Sequence, residues 1–194
     1  RQPYPMSWTE QQALFSELPP HLAEMALFAV NTGCRDAEVC RMQWDWEVKV
    51  PSLDTFVFIV PGSFVKNGEE RLVVLNDIAK RVVNSRRGRH PTHVFTYEGE
   101  PIQRMLNSSW CRVREKVGLK QVRVHDLKHT FGRRLRAAGV SFEDRQDLLG
   151  HRSGRMTTHY SAAELSKLIE AANSVCERNG NRPELVVLRR LNVS

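Results

Sequence analysis

The sequence predicts a mainly α-helical domain carrying one small antiparallel β-sheet, an α+β arrangement. Three observations lead there. Helix-start signals recur along the chain: Ser7-Trp8-Thr9-Glu10 and Ser161-Ala162-Ala163-Glu164 are capping boxes, and Ser141 stands three residues before Asp144. From His125 onward, Leu127, Phe131 and Leu135 repeat at i, i+4 and i+8, the spacing of a buried helical stripe. The main β signal is a pair of β-branched and aromatic runs, Thr55 to Val60 and Arg71 to Leu75, with the turn dipeptide Asn67-Gly68 between them.

Each element follows from local chemistry. Residues 7–43 read as helical, broken at Pro19-Pro20, where ring geometry stops the first helix. His21 to Val30 is a second, strongly apolar helix ending near Asn31-Thr32-Gly33, and Arg35 to Met42 resumes as helix. The two β runs make a hairpin with a long tip over 61–70. Helices follow at 76–87 and 102–117. The next runs from His125 to Ala138 and stops at Gly139, and a short one after Ser141 stops at Gly150. Ser161 opens a helix to about Val175. Asn179-Gly180-Asn181-Arg182-Pro183 breaks the pattern, and Glu184 to Leu188 has the composition of one more strand.

At 194 residues the chain suits one domain with a tail, divided here at 1–178 and 179–194. That length buries a real core without staples. The longest apolar run, around Ala26 to Val30, falls far short of the ~20 residues of a membrane span. The chain opens on an arginine with no secretory pattern, which suggests a fragment of a longer protein. Lys and Arg number 29 against 22 Asp and Glu, a net charge of +7, which favours a polyanionic partner as much as it describes an ordinary basic protein. Cys34, Cys40, Cys111 and Cys176 lack paired spacing and read as thiols in a reducing compartment, by default the cytoplasm.

Several segments carry polar residues with chemical potential. His125, Lys128 and His129 lie at i, i+3 and i+4 on a face away from the apolar stripe. Three nitrogen donors there can grip an anion, or form a solvated basic face. A metal reading of the two histidines is weaker, because the glutamate of a zinc helix motif is missing. Tyr160 stands just before the Ser161 cap, where a helix N-terminus favours a phenolate or a phosphate. The same position suits a hydrophobic staple onto Leu165. His151 follows the helix stop at Gly150 and can either donate to a phosphate oxygen or satisfy helix carbonyls. Arg35 can clamp a phosphate bidentately, with Glu38 three residues on to orient it or a histidine, or the two form a surface ion pair. Lys66 at the hairpin tip is either a mobile proton donor or an edge lysine that discourages aggregation.

Taken together, in order and spacing, these segments resemble the catalytic domain of the tyrosine recombinase (phage integrase) family, from about residue 5 to 177. The first arginine motif is similar to Thr32-Gly33-Cys34-Arg35, with its acidic partner at Glu38. The hairpin lysine matches Lys66, in a context with Gly68 and Arg71. The H-x-x-R box resembles His125 to Lys128, the L-L-G-H segment matches Leu148 to His151, and the nucleophile matches Tyr160. The resemblance implies the family's catalytic-domain fold and a site-specific DNA recombinase, an integrase from a phage or mobile element. Tyr160 would attack a backbone phosphate and form a 3′-phosphotyrosine bond. Arg35, Lys128 and His151 would hold the non-bridging oxygens, Lys66 would protonate the leaving 5′-oxygen, and His125 would assist Tyr160 with Glu38 in support. His129 and His159 take structural roles by default. No cofactor or metal is called for.

Two departures qualify that expectation. Lys128 stands where the family has arginine, which keeps the charge and loses the planar fork. It marks a slower enzyme, a lineage in which lysine suffices, or a DNA-binding protein on the same fold that no longer cleaves. A topoisomerase of the type IB kind is a further alternative, with the same chemistry and no strand exchange. The family's N-terminal DNA-clamping domain is absent from the sequence. The implied partner is double-stranded DNA, bound as a tetramer by a protein monomeric without it, in the bacterial cytoplasm at the nucleoid. The tail after Pro183 is a candidate for placement on a neighbouring protomer or on its own domain.

Overall fold

In a computed structural model the chain is described over residues 2–66, 68–150 and 160–176. The α+β expectation holds. The helices are α1 (Trp8–Glu17), α2 (Pro20–Thr32), α3 (Asp36–Cys40), α4 (Asp77–Arg86), α5 (Ser108–Lys116), α6 (Val124–Ala137), α7 (Phe142–Leu149) and α8 (Ala162–Asn173). The strands are β1 (Glu47–Val50), β2 (Thr55–Val60), β3 (Arg71–Val73), β4 (Thr96–Tyr97) and β5 (Glu100–Pro101).

The local signals act as their chemistry dictates. Ser7 and Ser161 each accept from the backbone N–H three residues on, and Glu10 and Glu164 reach back to complete both capping boxes. Ser141 caps α7 by accepting from the Asp144 N–H. Gly33 and Gly150 end α2 and α7 in the left-handed conformation, at φ 65° and 60°.

Three expectations are corrected. The hairpin is the larger part of a three-stranded antiparallel sheet in the order β1-β2-β3, with Phe58 opposite Glu47 on one side and Val73 on the other. Strand β1 is four residues long and reads Glu-Val-Lys-Val, too short and too charged to stand out before its pairing is known. The helix expected over 102–117 begins at Ser108, because the Asn107 side chain caps it. The chain before it is tied down where the Met105 N–H donates to Asp36 Oδ1 at 2.8 Å. A two-residue hairpin, β4 with β5, was not foreseen either. The predicted strand at Glu184 to Leu188 lies outside the described residues, as does the tail from 179 on.

The sheet separates two apolar clusters, as its period-2 alternation requires. Phe58, Val60, Val73 and Leu75 face the larger one with α1, α2, α4 and α5. Val57, Leu72 and Val74 face the smaller one, with Phe131 and Leu135 of α6, Leu148 of α7, and Leu168 and Ala172 of α8. The predicted α6 stripe is fully buried and serves both clusters, Leu127 in the first and Phe131 and Leu135 in the second. Helix α6 is therefore the beam on which the site is mounted.

The other site-bearing elements are pinned by buried polar contacts. The Asn76 Nδ2 group donates to Asn31 Oδ1 at 2.9 Å and to the Ala172 carbonyl at 3.3 Å, tying α2, α4 and α8 together. Along α6, the Tyr4 N–H donates to Asp126 Oδ1 at 3.1 Å and the Met6 N–H to Thr130 Oγ1 at 2.9 Å. No described helix is long and apolar enough to cross a membrane. The four cysteines are free thiols, with Cys34 and Cys40 buried.

Candidate active site

The site starts at the end of α2. Gly33 turns the chain sharply, and a Cβ there would meet Phe131 Cδ1 at 2.9 Å, so α6 packs directly under the turn. Arg35 follows as the N-cap of α3, with its side chain about a quarter exposed. Its Nη1 donates to Glu38 Oε1 at 2.7 Å, and its N–H donates to Oε2 at 2.8 Å.

A surface ion pair was one reading of Arg35 and Glu38, and the structure rules it out. Glu38 is 1% exposed, and its Oε2 also accepts from Nη1 of Arg71, itself buried at the start of β3. One carboxylate thus serves two guanidiniums. Burial alone would raise the Glu38 carboxyl, but Arg71 and Arg35 outweigh it and hold it below the usual carboxylate range. Arg71 was visible beforehand only as part of the hairpin-lysine context. Its place at the centre of the site was missed.

Lys128 differs from expectation in the same way. The i, i+3, i+4 spacing set it on an outward face with His125 and His129, yet it is 5% exposed. Its ammonium turns across α6 and donates to the Leu149 carbonyl at the end of α7. Burial, then the positive charges of Arg71 and Arg35, pull its pKa from 10.5 down to about 7. His125 and His129 do remain at the surface, edge to face with ring centroids 4.7 Å apart. Burial and the neighbouring Lys128 charge lower His125 below its ordinary value, and burial and His125 do the same to His129.

The structure gathers Arg35, Glu38 and Lys128 with Arg71, and places His125 within electrostatic reach of Lys128 and Arg35. Lys66 stands apart, exposed at the hairpin tip. Tyr160 is half-buried and packs, like Leu165, against the smaller apolar cluster immediately before the α8 cap. His151 and His159 lie outside the described residues. Among the described residues no group of three His, Cys, Asp or Glu side chains is placed to hold a metal ion. What the gathered residues can do is hold an anion: a partly exposed guanidinium and a buried amine sit together, with a carboxylate fixing the geometry.

Comparison with known proteins adds three kinds of match. The model of the phage integrase family matches residues 9–167. The chain is 28% identical over 182 residues to the integrase of Salmonella phage P22, covering 86% of this chain and 45% of that protein. It is 27% identical over 175 residues to tyrosine recombinase XerC of Xanthomonas campestris pv. campestris, covering 84% and 52%. The chain thus spans about half the length of these curated relatives. Among solved structures, the integrase of mycobacterium phage Brujita shares the fold at TM-score 0.63 and 19% identity, over 90% of this chain and 58% of that one. A lambda integrase dimer bound to a core site does so at 0.62 and 20%, over 81% and 60%.

Proposed function

The chain belongs to the phage integrase family, and from that premise we propose that it is the catalytic domain of a site-specific recombinase that cuts and rejoins duplex DNA through Tyr160. The observation that carries this reading is the cluster of Arg35, Glu38 and Lys128, gathered from α3 and α6 in the order and spacing of the family's motifs.

Phosphoryl transfer asks a protein mainly for positioning and for stabilisation of charge on the non-bridging oxygens. Arg35 offers that charge at the surface, and Glu38 holds its guanidinium in one orientation. Lys128 stands beside it. In the free protein its amine is divided between charged and neutral forms near neutral pH. A phosphate diester arriving next to it favours the charged form, so binding DNA completes the cation. His151 is the third donor.

Tyr160 must lose its proton to attack. A tyrosine is ordinarily at ~10. His125 is held below its ordinary value, so it is neutral at pH 7 and able to accept that proton. The leaving 5′-oxygen needs a proton in turn. Lys66 supplies it from the hairpin tip, which must close onto DNA to do so. The phosphotyrosine bond conserves the energy of the broken bond, so a 5′-hydroxyl of a partner strand can reverse the step. Four such sites on two duplexes complete recombination, hence a tetramer on DNA.

A second reading has one observation behind it. A lysine where the family has arginine, with its charge partly withdrawn, suits a protein that binds DNA without cutting it. Plasmid relaxation separates the two. Supercoiled plasmid in EDTA, quenched with detergent, should yield relaxed or protein-linked circles with the wild type and none with Tyr160→Phe. Binding by both proteins, with supercoils intact throughout, would support the non-cleaving reading.

A further inference from the structure

We propose that Arg71 is a positioning residue for strand cleavage: its buried guanidinium locks the Gly33 turn, Glu38 and the end of α7 into one unit, so that Arg35 and Lys128 face the same phosphate. The inference rests on the functional reading above.

The geometry is unusual for a strand arginine. Arg71 is 2% exposed, and its Nη1 pairs with Glu38. Its Nη2 donates to the carbonyls of Gly33 at 3.0 Å, Thr32 at 3.3 Å and Leu148 at 3.4 Å. These carbonyls lie at the C-terminal ends of two helices, α2 and α7, which leave such groups unsatisfied and carry partial negative charge. A single cation thus caps two helix ends and neutralises the carboxylate that orients Arg35.

Lys128 binds the next carbonyl along, that of Leu149. Arg71 and Lys128 therefore hold adjacent peptide groups at the end of α7, one from the sheet and one from α6. Shifting Arg71 shifts the carbonyl that fixes the Lys128 amine. The same packing explains Gly150. It needs the left-handed conformation, and a Cβ there would also meet Arg71 Nε at 2.5 Å and Cδ at 2.7 Å. The glycine of the Leu-Leu-Gly-His segment is shaped to the arginine behind it. Arg71 need never touch DNA. It holds in place two cations that would otherwise drift, and misplacement of about 1 Å at such a site costs on the order of 10² in rate.

The test compares wild type with Arg71→Met, which keeps volume and removes charge, and Arg71→Lys, which keeps charge and removes the fork. Each is first checked for folding by circular dichroism and assayed well below its Tm. Three quantities are measured: plasmid affinity, the rate of covalent adduct formation, and the titration midpoint of the Lys128 amine, read from its 13Cε resonance without DNA. The expected result is adduct formation slowed about 10²-fold in both variants, with plasmid affinity within about twofold. The Lys128 midpoint should rise in Arg71→Met, because a neighbouring positive charge is gone, and stay nearer wild type in Arg71→Lys. The midpoint reports the nearby charge, and the split between adduct rate and plasmid affinity reports positioning: in a variant shown to be folded, an arginine that only stabilised the fold would move neither rate nor affinity. A folded Arg71→Met with wild-type adduct rate overturns the proposal. Should the wild type itself form no adduct, the functional reading fails separately. The Lys128 midpoint then decides alone, and an unmoved value overturns the coupling.

Discussion

Two cations leave the same hairpin five residues apart and meet opposite fates. Lys66 sits at the tip, exposed, beside backbone turns in which Val65 donates to the Gly62 carbonyl and Gly68 to the Val65 carbonyl, each at 3.0 Å. Arg71 sits where the ladder begins, opposite Val60, and is buried against three other segments. One is open to solvent and the other is enclosed. On the proposed function this is a division of labour, in which a buried frame sets the phosphate grip and the exposed tip brings the proton donor. It also separates stability from rate. Changes in the frame should cost both, and changes at the tip should cost rate alone.

The largest effect is expected at Glu38→Ala, which leaves the buried Arg71 without its carboxylate. Removing one partner of a buried pair costs about 3–5 kcal/mol, and urea denaturation should show a loss of that order. A loss below about 1 kcal/mol would mean that Arg71 finds other compensation and the frame is softer than drawn. Gly150→Ala comes next, since a side chain there meets both an unfavourable backbone region and the Arg71 stem. A cost of about 2–3 kcal/mol is expected.

Lys128→Met should act in the other direction. The Lys128 pKa is depressed in the folded protein, so folding disfavours its charged form. Below about 7 the amine is charged in both states and the full penalty applies. Between about 7 and 10.5 the folded protein sheds the proton first, so stability from this group rises with pH across that window. Methionine removes the penalty. It should stabilise the protein by about 2 kcal/mol at pH 6, by less at pH 9, and flatten the pH dependence between them. Adduct formation should fall together with that gain. The smallest change in stability belongs to Lys66→Ala, within about 0.5 kcal/mol. Its adduct rate should nevertheless drop about 10²–10⁴-fold. A substantial loss of stability at Lys66 would erase the contrast.

The division between local and distant contacts also marks what the sequence made legible. Caps, glycine stops and the α6 stripe depend on residues within a turn or two, and they stand where the spacing put them. Arg35 and Glu38 were paired correctly, because an N-cap residue and the residue three further on meet across the first turn of a helix. The burial of Glu38 was not foreseeable, since it goes with its pairing to Arg71, 33 residues further on. Lys128 was placed on the right helix and on the wrong side of the surface. The carbonyl that draws it inward belongs to Leu149, 21 residues away. Strand β1 escaped notice because four half-polar residues carry a strand only once β2 pairs with them. A buried polar knot is a non-local object, and a pattern read along the chain sees its members as surface charges.

The most direct test of the central claim is to locate the covalent bond. Plasmid is incubated with the protein in EDTA, quenched with detergent and digested to nucleotides, and the tryptic peptides are weighed. The account predicts a nucleotide remnant on Tyr160 in the wild type and none in Tyr160→Phe. A remnant on another residue, or bound plasmid with no remnant on Tyr160, would contradict it.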